Sequence, residues 1–580
     1  MLDDRLKDIL VSLLGLERDD LSVEIPENQN FGDYTTNIAM RAFGDKNLFS
    51  RLPKEIEKGK SPQDLALSIA SFLEKSKDLM QFVGKIEVKR PGFINFWLKE
   101  DTLIYNLRYL DTYKNKNIGR GKTVVIDYSS PNIAKNFSIG HLRSTIIGQA
   151  LYNLYSFLGY RVIGDNHLGD WGSQFGALIC EIINSNVSLD SLTVEKLEEM
   201  YVEFNRKAKE DPKLQDQARF WFKKLEDGDP KARKIWQTCR KISLEEFERI
   251  YKLLGVSFDF VLGESYYEDE MKALLKDKKL IENLEEGEAG AKIIRLDEFG
   301  IKTPLMVLKS DGATTYATRD LACLRFRMRR FSADIVIYEV GQEQTLHFKQ
   351  VFAASRKLGI VPEDVILYHT QHGLYLDQSG HKFSTRKGGV VNLEDVLKEA
   401  IKKAKEIITN SATSRNLSSD KIEEVSEKVG IGAIKYFDLK HSVKSDIVFD
   451  WNKILSLEGN SGPYLQYTFA RTFSVLKKAG SFKFDFKSAF EVNEDEKSLL
   501  RFIFHFEEVI KKAAFEFSPN LLCDFLFELC QKFNSFYDKY PILKEEDLKK
   551  RQLRLKLTEA VSLVLKKGLG ILGIEAVEKM

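Results

Sequence analysis

The sequence predicts an α/β protein: a core of parallel strands joined by crossover helices, preceded by a smaller α+β segment and followed by an all-helical one. Three observations support this. Between Val124 and Gly176 a β-branched run, a turn, a helical stripe and a second short apolar run follow one another, which is the pattern of a βαβ unit. Two further apolar runs, Ile335 to Val340 and Val365 to His369, return later as strands of the same kind. From Gly462 onward the chain reads as helices rich in Phe.

Thr123 to Ile126 shows no polar alternation and suits a strand buried on both faces. A turn rich in Ser, Pro and Asn leads to a helix from near Gly140, with Ile147, Ala150, Leu151, Leu154 and Leu158 on one stripe until Gly159 ends it. Tyr160 to Gly164 is the returning strand. The turn puts Gly140 and His141 in the first helical turn, where outward amides and the positive dipole end attract phosphate. Glycine there lets a nucleotide approach the backbone, and His141 can donate to a phosphate oxygen. Ser138 and Asn136 also read as helix caps; for Ser138, capping and phosphate donation are equal readings. His167-Leu-Gly-Asp-Trp-Gly172 follows the second strand, where open α/β sheets bind ligands. His167 is a candidate contact there, and Trp171 reads at least as well as packing.

Residues 1–112 form the α+β segment. Leu6, Ile9, Leu10, Leu13 and Leu14 make an amphipathic helix, and Lys85 to Val88 and Phe93 to Leu98 are strands around the turn Pro91-Gly92. A polar linker, Tyr113 to Gly119, leads to the α/β core over residues 119–395. Within it, about 185–300 is a heavily charged helical insertion carrying the stripe Leu244, Phe247, Tyr251 and Leu254. After the later strands comes HKFSTRKGG, His381 to Gly389, whose cations, hydroxyls and glycines suit a loop closing over a triphosphate or simply a solvated basic loop. Residues 396–461 read as a helical connector and 462–580 as the helical domain.

Composition narrows the class. At 580 residues the chain needs several cores, and its net charge of +2 with 30% charged residues confines nucleic-acid contact to local patches. Five scattered cysteines without a C-x-x-C pair suggest reduced thiols, with no zinc site or disulfide framework. The N-terminus has no apolar signal core and no run spans a bilayer, so a soluble cytoplasmic protein without membrane or DNA partners is expected. Gly119-Arg-Gly-Lys-Thr123 precedes a strand and lacks the leading glycine, so it is not a P-loop. Gly568-Leu-Gly570-Ile-Leu-Gly573 follows a helix with too little chain beyond it for a dinucleotide fold, and reads as a helix stop.

The block SSPNIAKNFSIGHLRSTIIG resembles the first signature of the class I aminoacyl-tRNA synthetases and, within them, of the arginyl-tRNA synthetases. Ser138, Ile139, Gly140 and His141 occupy the His-x-Gly-His positions, so the first histidine is a serine, and Asn136 stands where proline is usual. The second signature, Lys-Met-Ser-Lys-Ser, is matched by Lys382, Phe383, Ser384, Thr385 and Arg386. Its central lysine is Thr385, and Lys135 sits where relatives are thought to compensate. FGDYTTN, PGFINF, HLGDWG, GESYY, KSDG, TTYATRDLA and VGQEQTLHF also resemble arginyl-enzyme blocks, and the likeness covers nearly the whole chain.

The resemblance implies a Rossmann-like class I synthetase catalytic domain, an α+β N-terminal domain touching the tRNA elbow, and an all-α anticodon-binding domain. It implies ligation of L-arginine to tRNA(Arg) through an arginyl-adenylate, with ATP and accompanying Mg²⁺, by a monomer and without a dedicated metal cage in the protein. By position, His141, Lys382, Lys135 and Arg386 would be catalytic. Ser138, Gly140, His141, Lys382 and Ser384 would bind ATP. Asp127, Asn132, Tyr316, Asp320 and Gln344 would bind arginine, with Asp320 on the guanidinium and Asp127 and Asn132 nearer the α-amino group. Exposed Tyr464, Gln466, Tyr467 and Arg471 would read tRNA bases. Without the resemblance, Asp127 reads as a turn cap, Asp320 as the partner of a neighbouring arginine, and the C-terminal aromatics as core. Rival functions are another class I synthetase, an inactive tRNA-binding paralogue, and more remotely a nucleotidyltransferase without an RNA substrate.

Overall fold

The computed structural model describes residues 2–26, 31–112, 118–383, 391–410 and 417–580, in two compact units. The larger comprises residues 114–471, 510–527 and 565–580. Its centre is a four-stranded parallel sheet of β1 (Thr123–Asp127), β2 (Arg161–Asp165), β3 (Ile335–Tyr338) and β4 (Ile366–His369), in the order β4-β3-β1-β2. Every residue of β1 is buried, as its unbroken apolar run requires of a strand covered on both faces. Register places Asp127 opposite both Asp165 and Tyr338, so three polar strand ends meet at one edge of the sheet.

Helix α1 (Gly140–Phe157) crosses from β1 to β2. The stripe anticipated on it is too narrow: Leu142 through Leu151 are all buried, polar residues included. Gly148 explains part of this. A Cβ there would lie 2.2 Å from Cβ of Tyr128, so only glycine lets the helix pass this close. β2 begins at Arg161 and not at Tyr160, and β3 stops at Tyr338 short of Val340. Past that point one more bond continues the pairing with β1, the Glu339 amide donating to the Asp127 carbonyl at 2.8 Å.

The charged insertion is helical, as expected. Its longest member, α2 (Pro230–Leu254), starts at an Asp229 side-chain cap and ends at Gly255 in the left-handed region. The periodicity did not reveal a three-stranded antiparallel sheet, Glu285–Glu286, Lys292–Leu296 and Ile301–Leu308. Its Ile294, Leu305 and Val307 join one core with Val125, Ile163, Leu321, Val336 and Val351. That core fixes α3 (Tyr316–Phe331) and α4 (Thr345–Lys357) against the parallel sheet. Helix α5 (Ser419–Leu439) lies in the connector; its buried Asp438 takes Nε of Arg143 from α1 at 3.3 Å and the Tyr375 hydroxyl. Helix Leu548–Ile571 stops just before Gly573, at φ 69°, as the glycine run suggested.

The smaller unit holds residues 1–113, 472–509 and 528–564. Phe93–Leu98 is the central strand of an antiparallel sheet between Tyr34–Thr36 and Val83–Lys89. The first helix, Leu2–Leu14, buries Leu2, Leu6, Leu10 and Leu14, while Ile9 and Leu13 are only half-buried. Asp33 of FGDYTTN accepts the Leu98 amide at 2.6 Å and pairs with Arg501. Among the described residues no helix is long and apolar enough to cross a membrane.

Candidate active site

The turn before α1 departs from a simple anion cradle. The His141 amide donates to the Ser138 carbonyl at 2.9 Å and the Leu142 amide to Ile139 at 3.1 Å, so these two donors are engaged within the turn. No side chain caps α1, which removes the capping reading for Ser138 and Asn136. Asn136 turns away, its amide group and backbone N–H both donating to Glu198 Oε2 at 2.6 and 3.2 Å. Ser138 holds the histidine ring: its backbone N–H donates to His141 Nδ1 at 3.0 Å, with its Oγ 3.1 Å from the same atom. Nδ1 therefore accepts, and the ring proton resides on Nε2. Burial, then the charges of Lys135 and Lys382, push His141 down to about 4, so the ring is neutral at physiological pH.

Of the segments flanking 384–390, the one that follows runs beside this turn. The Phe383 amide donates to Tyr375 at 2.9 Å on one side; on the other, Ile139 donates to Val391 and Leu393 to Phe137, each at 3.0 Å. Lys382 bridges antiparallel to Leu376, and the Lys135 ammonium lies 5.7 Å from the Tyr201 ring. Ser384, Thr385 and Arg386 lie outside the described residues.

A carboxylate-rich region occupies the adjoining strand ends. Arg327 Nη2, fully buried, donates to Asp127 at 2.7 Å and Asp165 at 2.8 Å, and Ser130 Oγ donates to the other Asp127 oxygen at 2.7 Å. Asp127 is thus buried and bonded at both oxygens, closer to its turn-cap reading than to an open substrate contact. Asn132 is exposed beside Gly169, where an added Cβ would lie 1.9 Å from Asn132 Oδ1. The glycine of HLGDWG is there to make room for that amide. Asp170 next to it accepts from Ser265 Oγ and N and from Arg240, while the Glu264 amide donates to Leu168 at 3.0 Å. HLGDWG thereby positions Glu264. Trp171 is buried edge-on against Trp236 and is packing.

His167 bonds Leu262 O through Nδ1 at 3.0 Å. Burial opposes its charge, but Asp127, Asp165 and Asp320 outweigh that and raise its pKa. Tyr316 and Asp320, four apart, share the first face of α3; Tyr316 is 66% exposed. Asp320 pairs not with an arginine but with His347 Nε2, at 2.5 Å. Glu264 faces Arg319 at 3.8 Å, and burial pushes its carboxyl up to about 7 despite the Arg319 and His167 charges, with Asp320 and Asp170 adding to the rise. One Glu264 oxygen is buried without a hydrogen-bond partner. Gln344 is exposed in the turn Gln342–Gln344 that leads into α4. Glu264 and His347 were not singled out from sequence, although each lay inside a block that was, GESYY and VGQEQTLHF.

On helix Gly462–Ala479, Tyr467 is exposed with the Arg471 guanidinium 5.1 Å from its ring, and Tyr464 is half-buried against Phe527. Gln466 is not exposed as expected. It is fully buried, and its amide donates to the carbonyls of Glu575 at 2.8 Å and Lys428 at 3.2 Å. Cys523 and Cys530 are core, as anticipated. Among the described residues no group of three or more His, Cys, Asp or Glu could hold a metal.

Comparison with known proteins gives three family matches. Residues 105–451 match the tRNA synthetases class I (R) catalytic domain, 465–580 the DALR anticodon binding domain, and 1–98 the arginyl tRNA synthetase N terminal domain. An arginine–tRNA ligase of Fusobacterium nucleatum is 38% identical over 97% of this chain and 95% of its own. One from Clostridium botulinum is 38% identical over 96% of each. The crystal structure of arginyl-tRNA synthetase from Plasmodium falciparum superposes with a TM-score of 0.81 at 25% identity, covering 100% of this chain and 98% of that one.

Proposed function

The chain belongs to the arginyl-tRNA synthetases, and we propose how its residues divide the work. The protein is an enzyme that ligates arginine to tRNA at the expense of ATP. In the first step the arginine carboxylate attacks the α-phosphorus of ATP; in the second the adenylate passes its arginyl group to a 3′-terminal ribose hydroxyl of tRNA(Arg). No protein nucleophile is required, so catalysis is positioning and charge stabilisation.

His141, protonated on Nε2 and neutral, donates a hydrogen bond to a phosphate oxygen, while Lys135 and Lys382 bring the positive charge that the ring lacks. Losing one such donor costs on the order of 3 kcal/mol. Ser138 orients the imidazole, and its hydroxyl is within reach of phosphate; Gly140 keeps the approach open. Ser384 and Arg386 are assigned to ATP by resemblance alone. Mg²⁺ arriving with ATP would be held by phosphate oxygens and water; the described residues do not fit a metal of the protein's own, and no step is assigned to one.

The guanidinium is a planar fork of donors that favours carboxylates. Asp320 and Glu264 receive it, Tyr316 and Gln344 flank it, and Asn132 meets the α-amino group with Asp127 contributing charge from behind. Tyr464, Tyr467 and Arg471 are the tRNA contacts, and the domain limits given above, a monomer and a cytoplasmic site complete the proposal. One observation carries it: His141 in the first turn of α1 with its Nδ1 engaged by the Ser138 amide, and a cluster of carboxylates beside the ends of β1 and β2. Charging total tRNA with labelled arginine, lysine or glutamine tests it. Arginine alone should be incorporated; tRNA binding without any incorporation would mark an inactive paralogue.

A further inference from the structure

Asp320 stands on α3 with its carboxylate partly exposed and its Oδ2 held by His347 Nε2 of α4 at 2.5 Å. An ionised carboxylate only accepts, so the imidazole donates. Both side chains are about one-fifth exposed, 18% for Asp320 and 23% for His347. The pair is not needed to join the two helices, because Leu321, Leu324, Phe348 and Val351 already share one buried core. The His347 ring also lies edge-on to Phe348, with centroids 5.4 Å apart. The bond engages Oδ2 and leaves Oδ1 for a ligand. A guanidinium needs an acceptor held in one orientation, and a partly exposed carboxylate without a partner would be free to rotate about its own bonds.

We propose that His347 is a positioning residue for arginine selection, locking the Asp320 carboxylate so that Oδ1 faces the guanidinium. This rests on the reading of Asp320 as a guanidinium acceptor and adds the group that makes it a rigid one. The role is separate from phosphate chemistry, so its loss is confined to arginine.

The test uses the full-length enzyme and steady-state charging, with KM for arginine, KM for ATP and kcat measured for His347→Phe, His347→Gln, Asp320→Asn and the double variant His347→Phe/Asp320→Asn. Phe keeps a ring without a donor; Gln keeps a donor without the ring. His347→Phe should raise KM for arginine by about tenfold, the scale of one charge-assisted hydrogen bond, with KM for ATP within about twofold. His347→Gln should recover most of that loss, and the double variant should be little worse than Asp320→Asn. Equal impairment in Phe and Gln would make the ring a space-filler and overturn the proposal. So would an unchanged KM for arginine in His347→Phe while Asp320→Asn raises it, leaving the Asp320 reading intact. An Asp320→Asn enzyme with normal KM for arginine would overturn that reading and the proposal with it.

Discussion

The backbone N–H of Ser138 donates to Nδ1 of His141 at 3.0 Å, three residues on, and this one bond decides which nitrogen of the ring faces the site. With Nδ1 accepting, Nε2 must carry the proton, and burial beside Lys135 and Lys382 keeps the ring from gaining a second.

Replacing His141 by Ala should therefore lower kcat for arginine activation by about 10²- to 10³-fold, with KM for arginine little changed. With the His141 pKa depressed to about 4, its neutral form persists as pH falls through 6.5. Any inflection between pH 5.5 and 7.5 in the pH–rate profile, from groups such as Glu264 or His167, should therefore persist in His141→Ala on top of its lowered rate.

Glu264 carries the opposite shift. Its carboxyl, raised to about 7 chiefly by burial, is the charged partner of the guanidinium only above that value. KM for arginine should rise as pH falls from 8 to 6 in the native enzyme, and Glu264→Gln should be weaker but flatter over that range. The same shift bears on folding. A folded-state pKa above the unfolded one favours folding below the unfolded value near 4.3 and loses that contribution as pH rises through about 7. Glu264→Gln should thus gain in Tm at pH 8 relative to pH 5, read by thermal denaturation at both.

Gly169→Ala should mimic Asn132→Ala. The new methyl would fall 1.9 Å from Asn132 Oδ1, and the amide must swing away. Both variants should raise KM for arginine while leaving KM for ATP near native, and combining them should add little.

The helical domain separates by burial. Gln466→Ala removes the buried amide that donates to the carbonyls of Glu575 and Lys428 and should destabilise the protein by about 1–3 kcal/mol in urea unfolding. Tyr467→Ala should leave the urea midpoint unchanged and weaken tRNA binding, by about 1–3 kcal/mol if one base stacks on the ring.

The βαβ core was legible because Thr123 to Ile126 shows no polar alternation and the helix after Gly140 carries Ile147, Ala150, Leu151, Leu154 and Leu158 at helical spacing. The antiparallel sheet of the insertion was not, since Lys292–Leu296 and Ile301–Leu308 mix charged and apolar residues and are set by packing against the core. The site divides the same way. Signature positions singled out His141 and Lys382, but the partners of the site's carboxylates are distant in sequence: Arg327 lies 200 residues from Asp127, and His347 lies 27 from Asp320 on another helix. Gln466 was misjudged because a polar side chain on an amphipathic helix reads as solvent-facing, and only the fold shows the carbonyls of Glu575 and Lys428 that accept from its buried amide.

The most direct measurement is arginine-dependent exchange of pyrophosphate into ATP, with and without total tRNA, using lysine and glutamine as controls. Exchange with arginine and with neither control amino acid, lowered by about 10²- to 10³-fold in His141→Ala, is the expected result. Exchange that is absent with every amino acid, or that survives His141→Ala undiminished, would contradict the account of how this site works.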